Sequence, residues 1–486
     1  MILQGINTSL CSLFVSQAWC EARAMDTTNQ NLTADVLVIG FGKGGKTTAH
    51  ALADAGRRVV LVERDENMYG GTCPNVGCVP TKMLLHYSTS RRLEDEAQEF
   101  FAQSIAGVRE LTKLFRAGNF EGLNGKPSAM VVTGTARFID SNTVQVGEGD
   151  DALTVTAPTI LINTGSEPVV PDIPGVRDSR FRVSSTDLIQ QDRLPKRLAI
   201  VGGGYLGLEF AGIYRSFGAD VTVLESADRL LLREDDDVAG AVSDLLTGDG
   251  VSLITGASVT VVSDGTDAAT VTYVKDGASV ELEVDAFLVA VGRRAAIDEL
   301  DLTAAGVETT ERGAIRVDDE LRTSQSHIFA LGDVNGGPQF TYVSLDDSRI
   351  VLDQLLGDGK RRVSDRVAVP RTLFLNPPLA TVGITETEAR KQGLNIKVAR
   401  ENVADIIAMP RAYTVEETRG LMKFIVDSST DQILGAALLS IDAQEIINLV
   451  AIAMRNGITA TELRDSIYTH PSSTEALNEV FDHIVA

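Results

Sequence analysis

The stretch Ala34-Asp-Val-Leu-Val-Ile-Gly40-Phe-Gly42-Lys-Gly44-Gly45 decides how this 486-residue chain folds. Its β-branched apolar run predicts a short buried strand, and the glycines stand where that strand must turn into a helix over residues 46–55. Gly40 permits the tight turn, Gly42 lets a pyrophosphate approach the backbone, Gly45 allows close helix packing, and the helix N-terminus attracts the anion. A second strand, Arg58-Val-Val-Leu-Val-Glu63, closes on an acid placed to accept from ribose hydroxyls. Taken alone, a glycine pattern of this kind is as readily an ordinary turn. Here the whole unit recurs as Arg197-Leu-Ala-Ile-Val-Gly202-Gly203-Gly204-Tyr-Leu-Gly207, a helix to Phe217, and Asp220-Val-Thr-Val-Leu-Glu225. Two dinucleotide sites predict two dinucleotides, and electron transfer between FAD and a nicotinamide dinucleotide explains the pair.

Glu225 favours NADH, because its carboxylate repels a 2′-phosphate, while Arg229 and Arg233 nearby keep NADPH open. Thr159-Ile-Leu-Ile-Asn-Thr164-Gly165 and Asp285-Ala-Phe-Leu-Val-Ala-Val-Gly292-Arg293 are matching buried strands ending in glycine, suited to crossings at the edges of the second nucleotide domain. Asp333, after the apolar run Ile328-Phe-Ala-Leu-Gly332, either binds a ribityl hydroxyl or caps the next helix. From about residue 368 strands such as Thr372-Leu-Phe-Leu and Leu421-Met-Lys-Phe-Ile-Val alternate with helices such as 442–455, without another glycine-rich loop. This predicts a separate α+β domain.

The length calls for about two to four domains, each with its own core. With 67 Asp and Glu against 44 Lys and Arg, the net charge of -23 argues against a nucleic-acid partner. No apolar run reaches the length of a membrane span. Four cysteines in so long a chain make no disulfide framework and point to a reducing, cytoplasmic compartment. Two of them, Cys11 and Cys20, lie in residues 1–24, where no positive charge precedes the apolar patch at 13–15, so a secretory signal is not expected. Translation from Met25 is an alternative start, and residues 1–33 read as a disordered or non-native extension.

The strongest chemical signal is Gly70-Gly-Thr-Cys73-Pro-Asn-Val-Gly77-Cys78-Val-Pro80-Thr-Lys82. Pro80 suits a first helical turn, which puts Cys78 at or near a helix N-terminus, where dipole and amides stabilise a thiolate. Gly77 lets the chain bend enough for a disulfide. The competing readings are unrelated buried thiols or half of a zinc site, and zinc needs two further ligands, which no second cysteine pair outside residues 1–24 supplies. Histidine is scarce, with five in all, and His470 stands out in Thr469-His470-Pro471-Ser-Ser-Thr-Glu475. Pro471 forces an extended, turn or cis geometry, and Glu475 is placed to orient the imidazole as an acid or base.

Together these motifs resemble the pyridine nucleotide-disulfide oxidoreductases, which include dihydrolipoamide dehydrogenase, glutathione reductase and mercuric reductase; the match runs from about residue 34 to the end. The resemblance implies an α/β fold with two Rossmann-like dinucleotide-binding domains, for FAD and NAD(P), plus a C-terminal α+β dimerisation domain. The divisions it implies are 34–168 and 295–367 for the FAD and central parts, 169–294 for NAD(P), and 368–486 for dimerisation. It implies a homodimer in which His470 and Glu475 serve the active site of the other subunit. Cys73 would be the interchange thiol facing the acceptor, Cys78 the charge-transfer thiol, and Lys82 with Glu209 the ion pair near the flavin. Thr72, Ala136, Thr164, Gly165, Asp333 and Thr341 would line FAD. Val259 and Gly292 would join Gly202, Gly204, Gly207 and Glu225 around the nicotinamide cofactor.

Within the family, Gly40-Phe-Gly-Lys-Gly-Gly-Lys-Thr47, Met68-Tyr-Gly-Gly-Thr-Cys73, Phe340-Thr-Tyr-Val-Ser-Leu-Asp-Asp347 and Met409-Pro-Arg411 look most like the bacterial reactive-chlorine-resistance flavoproteins, which reduce copper(II). Lipoamide dehydrogenases usually carry a second His where this chain has Tyr468, and mercuric reductases end in a vicinal Cys pair where this chain ends Asp482-His-Ile-Val-Ala486. The reading is therefore hydride from NADH to FAD, cleavage of a Cys73–Cys78 disulfide, and reduction of a metal ion such as copper(II), or an oxidant, with His470 managing the thiol proton. No permanent metal is expected, only transient copper at the soft thiolates. The rivals are a dihydrolipoyl dehydrogenase of a 2-oxo-acid complex and a non-catalytic, redox-sensing flavoprotein.

Overall fold

A computed structural model describes residues 31–92 and 94–485. They form two compact units, one built from the described residues up to Thr81 with Gly107–Pro168 and Arg293–Asp365, the other from Lys82–Ala106, Val169–Gly292 and Arg366 onward. Residues 1–30, with Cys11, Cys20 and the question of a leader, lie outside the described residues.

In the first unit the strand Val36–Ile39 is wholly buried between Val59–Glu63 and Ile160–Ile162. Ala129–Thr133 and Ile328–Ala330 complete a five-stranded parallel sheet. A strand covered on both faces must be apolar throughout, which is why Val36–Ile39 shows no polar alternation. Its alternation is instead between two cores. Leu37 and Ile39 join Phe138, Val144 and Val155 of a four-stranded sheet. Val36 and Val38 meet Ala49 and Leu52 of the helix Lys43–Asp54, with Ile350 and Val351 of the helix Thr341–Leu356. The four-stranded sheet runs Asn31–Thr33, Leu153–Thr156, Thr143–Val146, Ala136–Phe138. Asn31–Thr33 pair in parallel with Thr154–Thr156, so the last three residues assigned to the extension are a strand of this sheet.

The second unit repeats the arrangement around Arg197–Val201, which lies between Asp220–Leu224 and Ala286–Val289 in another five-stranded parallel sheet. The two glycine-ended strands foreseen from sequence thus divide between the sheets, each beside the first strand of a glycine motif. The chain leaves the first unit after Pro168 and returns at Arg293, shortly after each of them. The C-terminal part of the second unit is a six-stranded antiparallel sheet in the order Arg371–Leu373, Leu379–Gly383, Ile433–Leu439, Leu421–Asp427, Ile396–Asn402, Ile484–Val485. The helix Ala443–Arg455 sets Ile446, Ile447 and Val450 into its core. Among the described residues no helix is long and apolar enough to cross a membrane.

Among the described residues of the second unit one cation is buried. Lys423, on the strand Leu421–Asp427, has a side chain 3% exposed and pairs with Glu386 at 2.8 Å, Asp237 at 2.9 Å and Asp235 at 3.1 Å. Burial opposes its charge, but the hydrogen bonds to Glu386, Asp237 and Asp235 raise its pKa above the ordinary lysine value. Lys423→Met should therefore cost about 3–5 kcal/mol, because it leaves the carboxylates facing one another without their counter-charge. A lowered denaturant midpoint relative to wild type checks this.

Candidate redox site

Each glycine motif turns on a backbone conformation that only glycine adopts easily. Gly40 has φ 100° and Gly202 φ 110°, and a β-carbon at either would lie within 2.6 Å of a neighbouring strand's carbonyl oxygen, that of Asn163 or Ala290. The acid at the end of the second strand then holds the loop. Glu63 accepts from Phe41 N at 2.9 Å and Arg64 N at 2.9 Å. Glu225 accepts from Gly203 N at 2.7 Å and Ala227 N at 2.8 Å. Both carboxylates thus bind the amide that follows the first glycine, a loop-holding role that the sequence reading, which gave Glu63 ribose hydroxyls and Glu225 the exclusion of a 2′-phosphate, did not foresee. Burial raises the pKa of Glu63, and the amides that it accepts from work against that rise. Arg229 donates to the carbonyls of Leu230, Leu231, Leu232 and Glu234 and pairs with Asp236 at 3.0 Å, so it is committed to its own loop.

Asn163 was passed over in sequence, although it is the one polar residue to interrupt an apolar run before Thr164-Gly165. Its Oδ1 accepts from Gly45 N at 2.8 Å and its Nδ2 donates to Leu331 O at 2.5 Å, tying the helix Lys43–Asp54 to the sheet. Asp347 likewise accepts from Gly332 N at 2.6 Å. Asp333 accepts from Ser166 Oγ at 2.7 Å, and Ser166 also receives Arg293. FAD fits what these groups leave open. Thr164 Oγ1 is buried without a partner, no side chain caps the helix that starts after Gly42, and open space lies beyond Gly165. In the second unit open space surrounds the missing β-carbons of Gly204 and Gly292, and Gly204 caps the helix Tyr205–Phe217 without a side chain. Gly207 packs against Gly202 O, Ala136 is buried at the start of its strand, and Val259 pairs with Tyr273 beside a bulge.

Cys78 opens the helix Cys78–Ser90, as its sequence neighbours predicted, and Cys73 lies in the short helix Thr72–Asn75. Both are free thiols. Thr341, first residue of its helix, brings Oγ1 to 3.4 Å from Cys78 Sγ and also bonds Cys73. The bond with Cys78 and burial push the Cys73 thiol far up, while Thr341 and Lys46 draw it down. Thr341 was assigned to FAD in sequence, and its hydroxyl is set against the sulfurs. Thr72 is exposed, with its carbonyl accepting from Val76 N at 2.9 Å.

In the second unit Lys82 and Glu209 come together at 2.7 Å. Glu209 also accepts from Phe374 N at 3.0 Å, and the ammonium stands 4.6 Å from the Phe374 ring centroid. His470 and Glu475 meet at 2.9 Å, through Nδ1, with Ser472 N donating to the other carboxylate oxygen at 2.8 Å. The His470–Pro471 peptide is cis. With Nδ1 on Glu475, Nε2 is left as the proton acceptor of a largely exposed imidazole. Among the described residues no three His, Cys, Asp or Glu gather as a metal site.

The family model for pyridine nucleotide-disulphide oxidoreductases matches residues 34–348, and that for their dimerisation domain matches 369–481. The chain belongs to this family. It is an FAD-dependent oxidoreductase that uses a nicotinamide dinucleotide, which sets aside the non-catalytic sensor, and it carries the family's dimerisation domain. The pyridine nucleotide-disulfide oxidoreductase RclA of Escherichia coli (strain K12) is 44% identical over 92% of this chain and 98% of its own length. A dihydrolipoyl dehydrogenase of Geobacillus stearothermophilus is 33% identical over 92% and 95%. A solved structure, the Cu(II) complex of the HOCl-induced flavoprotein disulfide reductase RclA from Escherichia coli, superposes with TM-score 0.88 at 43% identity, covering 93% of this chain and 99% of that one.

A β-carbon on Gly42 would come within 2.5 Å of Asn163 Oδ1 and displace the residue that holds Gly45 and Leu331. Gly42→Ala should therefore be isolated with well under half the flavin of wild type, read from the visible-to-ultraviolet absorbance ratio. Gly118→Ala, within the helix Ala97–Asn124 where nothing stands within 4 Å of the new carbon, should keep its flavin.

Proposed function

We propose that the chain is an NADH-dependent flavoprotein that reduces a Cys73–Cys78 disulfide and passes the electrons to copper(II), or to an oxidant, in defence against reactive chlorine and related stress. The observation that carries the redox pair is the placing of both sulfurs at one threonine hydroxyl, with Cys78 at a helix N-terminus. The acceptor is supported by the likeness to RclA, whose structure was solved as a Cu(II) complex. NADH is supported by Glu225 and by the commitment of Arg229 to its own loop. A cytoplasmic homodimer, with His470 and Glu475 of one subunit serving the redox pair of the other, completes the reading; so does the domain division at 168/169, 294/295 and 367/368.

Bound FAD supplies the step that turns a hydride into a pair of electrons for the disulfide. The protein's part is to hold the groups that receive them. Gly42, Thr164, Asp333 and the clamped loop at Glu63 would seat the flavin dinucleotide, and Gly204 with Glu225 the nicotinamide one. Reduction of the disulfide breaks one S–S bond and leaves a thiol and a thiolate. Two copper(II) ions then take one electron each, the disulfide re-forms, and the thiol proton goes to His470 Nε2.

Anaerobic NADH oxidation with copper(II) and with lipoamide, each against a no-enzyme control, tests the acceptor. Saturable copper-dependent turnover with little lipoamide activity is expected. The reverse would favour the dihydrolipoyl dehydrogenase reading, which the 33% identical relative keeps in view. Against it, the Tyr468 hydroxyl donates to Leu463 O at 2.8 Å and its ring packs on the C-terminal core, so it takes no proton in place of a histidine. The Cys73→Ser, Cys78→Ser double variant should lose turnover, which full copper-dependent activity would contradict.

Glu475 is partly buried, which works to raise its pKa, but the hydrogen bonds from His470 and Ser472 bring it below the ordinary Glu value. The carboxylate is therefore ionised throughout the neutral range, and the orientation that it gives His470 is lost only as pH falls through the lowered pKa. Glu475→Gln should cut turnover by about 10²-fold across the neutral range, since a positioned base contributes about 10²–10⁴. Steady-state kcat against pH checks it.

A further inference from the structure

The ammonium of Lys46 bonds the loop that leads into the short helix carrying Cys73, and no role described above uses it. From the helix Lys43–Asp54, its Nζ donates to Gly70 O at 3.1 Å and to Asn119 Oδ1 at 2.6 Å. Asn119 is itself anchored by donating to Phe115 O at 2.7 Å, and it packs so closely on Gly70 that a β-carbon there would lie 2.8 Å from its amide. The lysine is thus tied to the backbone at Gly70, three positions before Cys73 in the chain, and each group acts on the other: Lys46 draws the Cys73 thiol down, and the anionic sulfur favours the ammonium. Burial, helped by Lys43, lowers Lys46 to about 8, so it keeps its proton at neutral pH in surroundings that screen charge poorly.

We propose that Lys46 is a positioning residue for the redox pair, whose half-buried charge favours the reduced, anionic form of Cys73 and Cys78 over the disulfide. This rests on those cysteines being the redox pair. Reduction breaks the S–S bond, takes up two electrons and one proton, and leaves one thiol and one thiolate; the ammonium acts on that new negative charge through Cys73, the sulfur that it draws down. A fixed cation there makes the disulfide easier to reduce, and in the anion's absence it stabilises nothing. His470 and Glu475 act on the proton, whereas Lys46 acts on the charge.

The test equilibrates the flavin-loaded protein in buffers of reduced and oxidised dithiothreitol, alkylates it, and reads the peptide carrying both cysteines by mass spectrometry. Lys46→Met and Lys46→Gln should each shift the equilibrium toward disulfide by about tenfold, equivalent to about 30 mV, with Lys46→Arg within about twofold of wild type. Glutamine keeps a donor for Gly70 O, so a lysine that merely holds the loop would leave Lys46→Gln at the wild-type midpoint and overturn the proposal. An Arg variant displaced as far as Met would overturn it too. Should the Lys46 variants lose their flavin, Asn119→Asp sets a carboxylate 2.6 Å from the ammonium and cancels its charge with little change of shape. Its midpoint should move in the same direction, and an unmoved midpoint counts against Lys46. A wild-type peptide that never cycles between dithiol and disulfide would instead fault the redox pair itself.

Discussion

A carboxylate bonded to the backbone amide that follows the first glycine of each motif is the interaction on which the rest of the structure depends. Glu63 holds Phe41 N and Glu225 holds Gly203 N. A hydrogen bond from an amide to a charged acceptor is worth about 1.5–3 kcal/mol, roughly twice a neutral one, and it fixes the loop before any ligand arrives. The loops must stay bent with amides facing outward, a conformation with little backbone bonding of its own. Without the clamps, phosphate would have to supply the ordering of the loop as well as its own binding.

The sulfur chemistry draws on a different device. Cys78 takes its position from the start of a helix and Cys73 from the short helix Thr72–Asn75, which follows the loop pinned at Gly70, so the two sulfurs are set by separate elements. Thr341 joins them from a third, the helix Thr341–Leu356 that also packs Ile350 and Val351 on the sheet. The hydroxyl is held by a helix whose own position is fixed by core packing.

The two parallel sheets were legible in the chain, because buried parallel strands are continuous apolar runs and because the glycine motif occurs twice; their strand order was not, and Ile160–Ile162 was assigned to the wrong sheet. The helix start at Cys78 followed from Pro80, and the His470–Glu475 contact from their spacing. What escaped was long-range. Asn163 lies 118 residues from Gly45 and 168 from Leu331, and no local pattern announces such partners. The same holds for Lys46 and Asn119, 73 residues apart. The two acids were found by position and given a ligand-facing duty, because a strand-end carboxylate looks alike whether it faces a sugar or a backbone amide. Asn31–Thr33 were missed because a three-residue edge strand has too little length to show a period.

The histidine and its carboxylate belong to one short stretch of chain, five residues apart, and their contact is complete within a single polypeptide. If a second copy is what the imidazole serves, the catalytic geometry is inherited from folding and association has only to deliver it. Such a pair behaves as a prefabricated part: weak or slow association would change how many working sites exist and leave the chemistry of each unaltered.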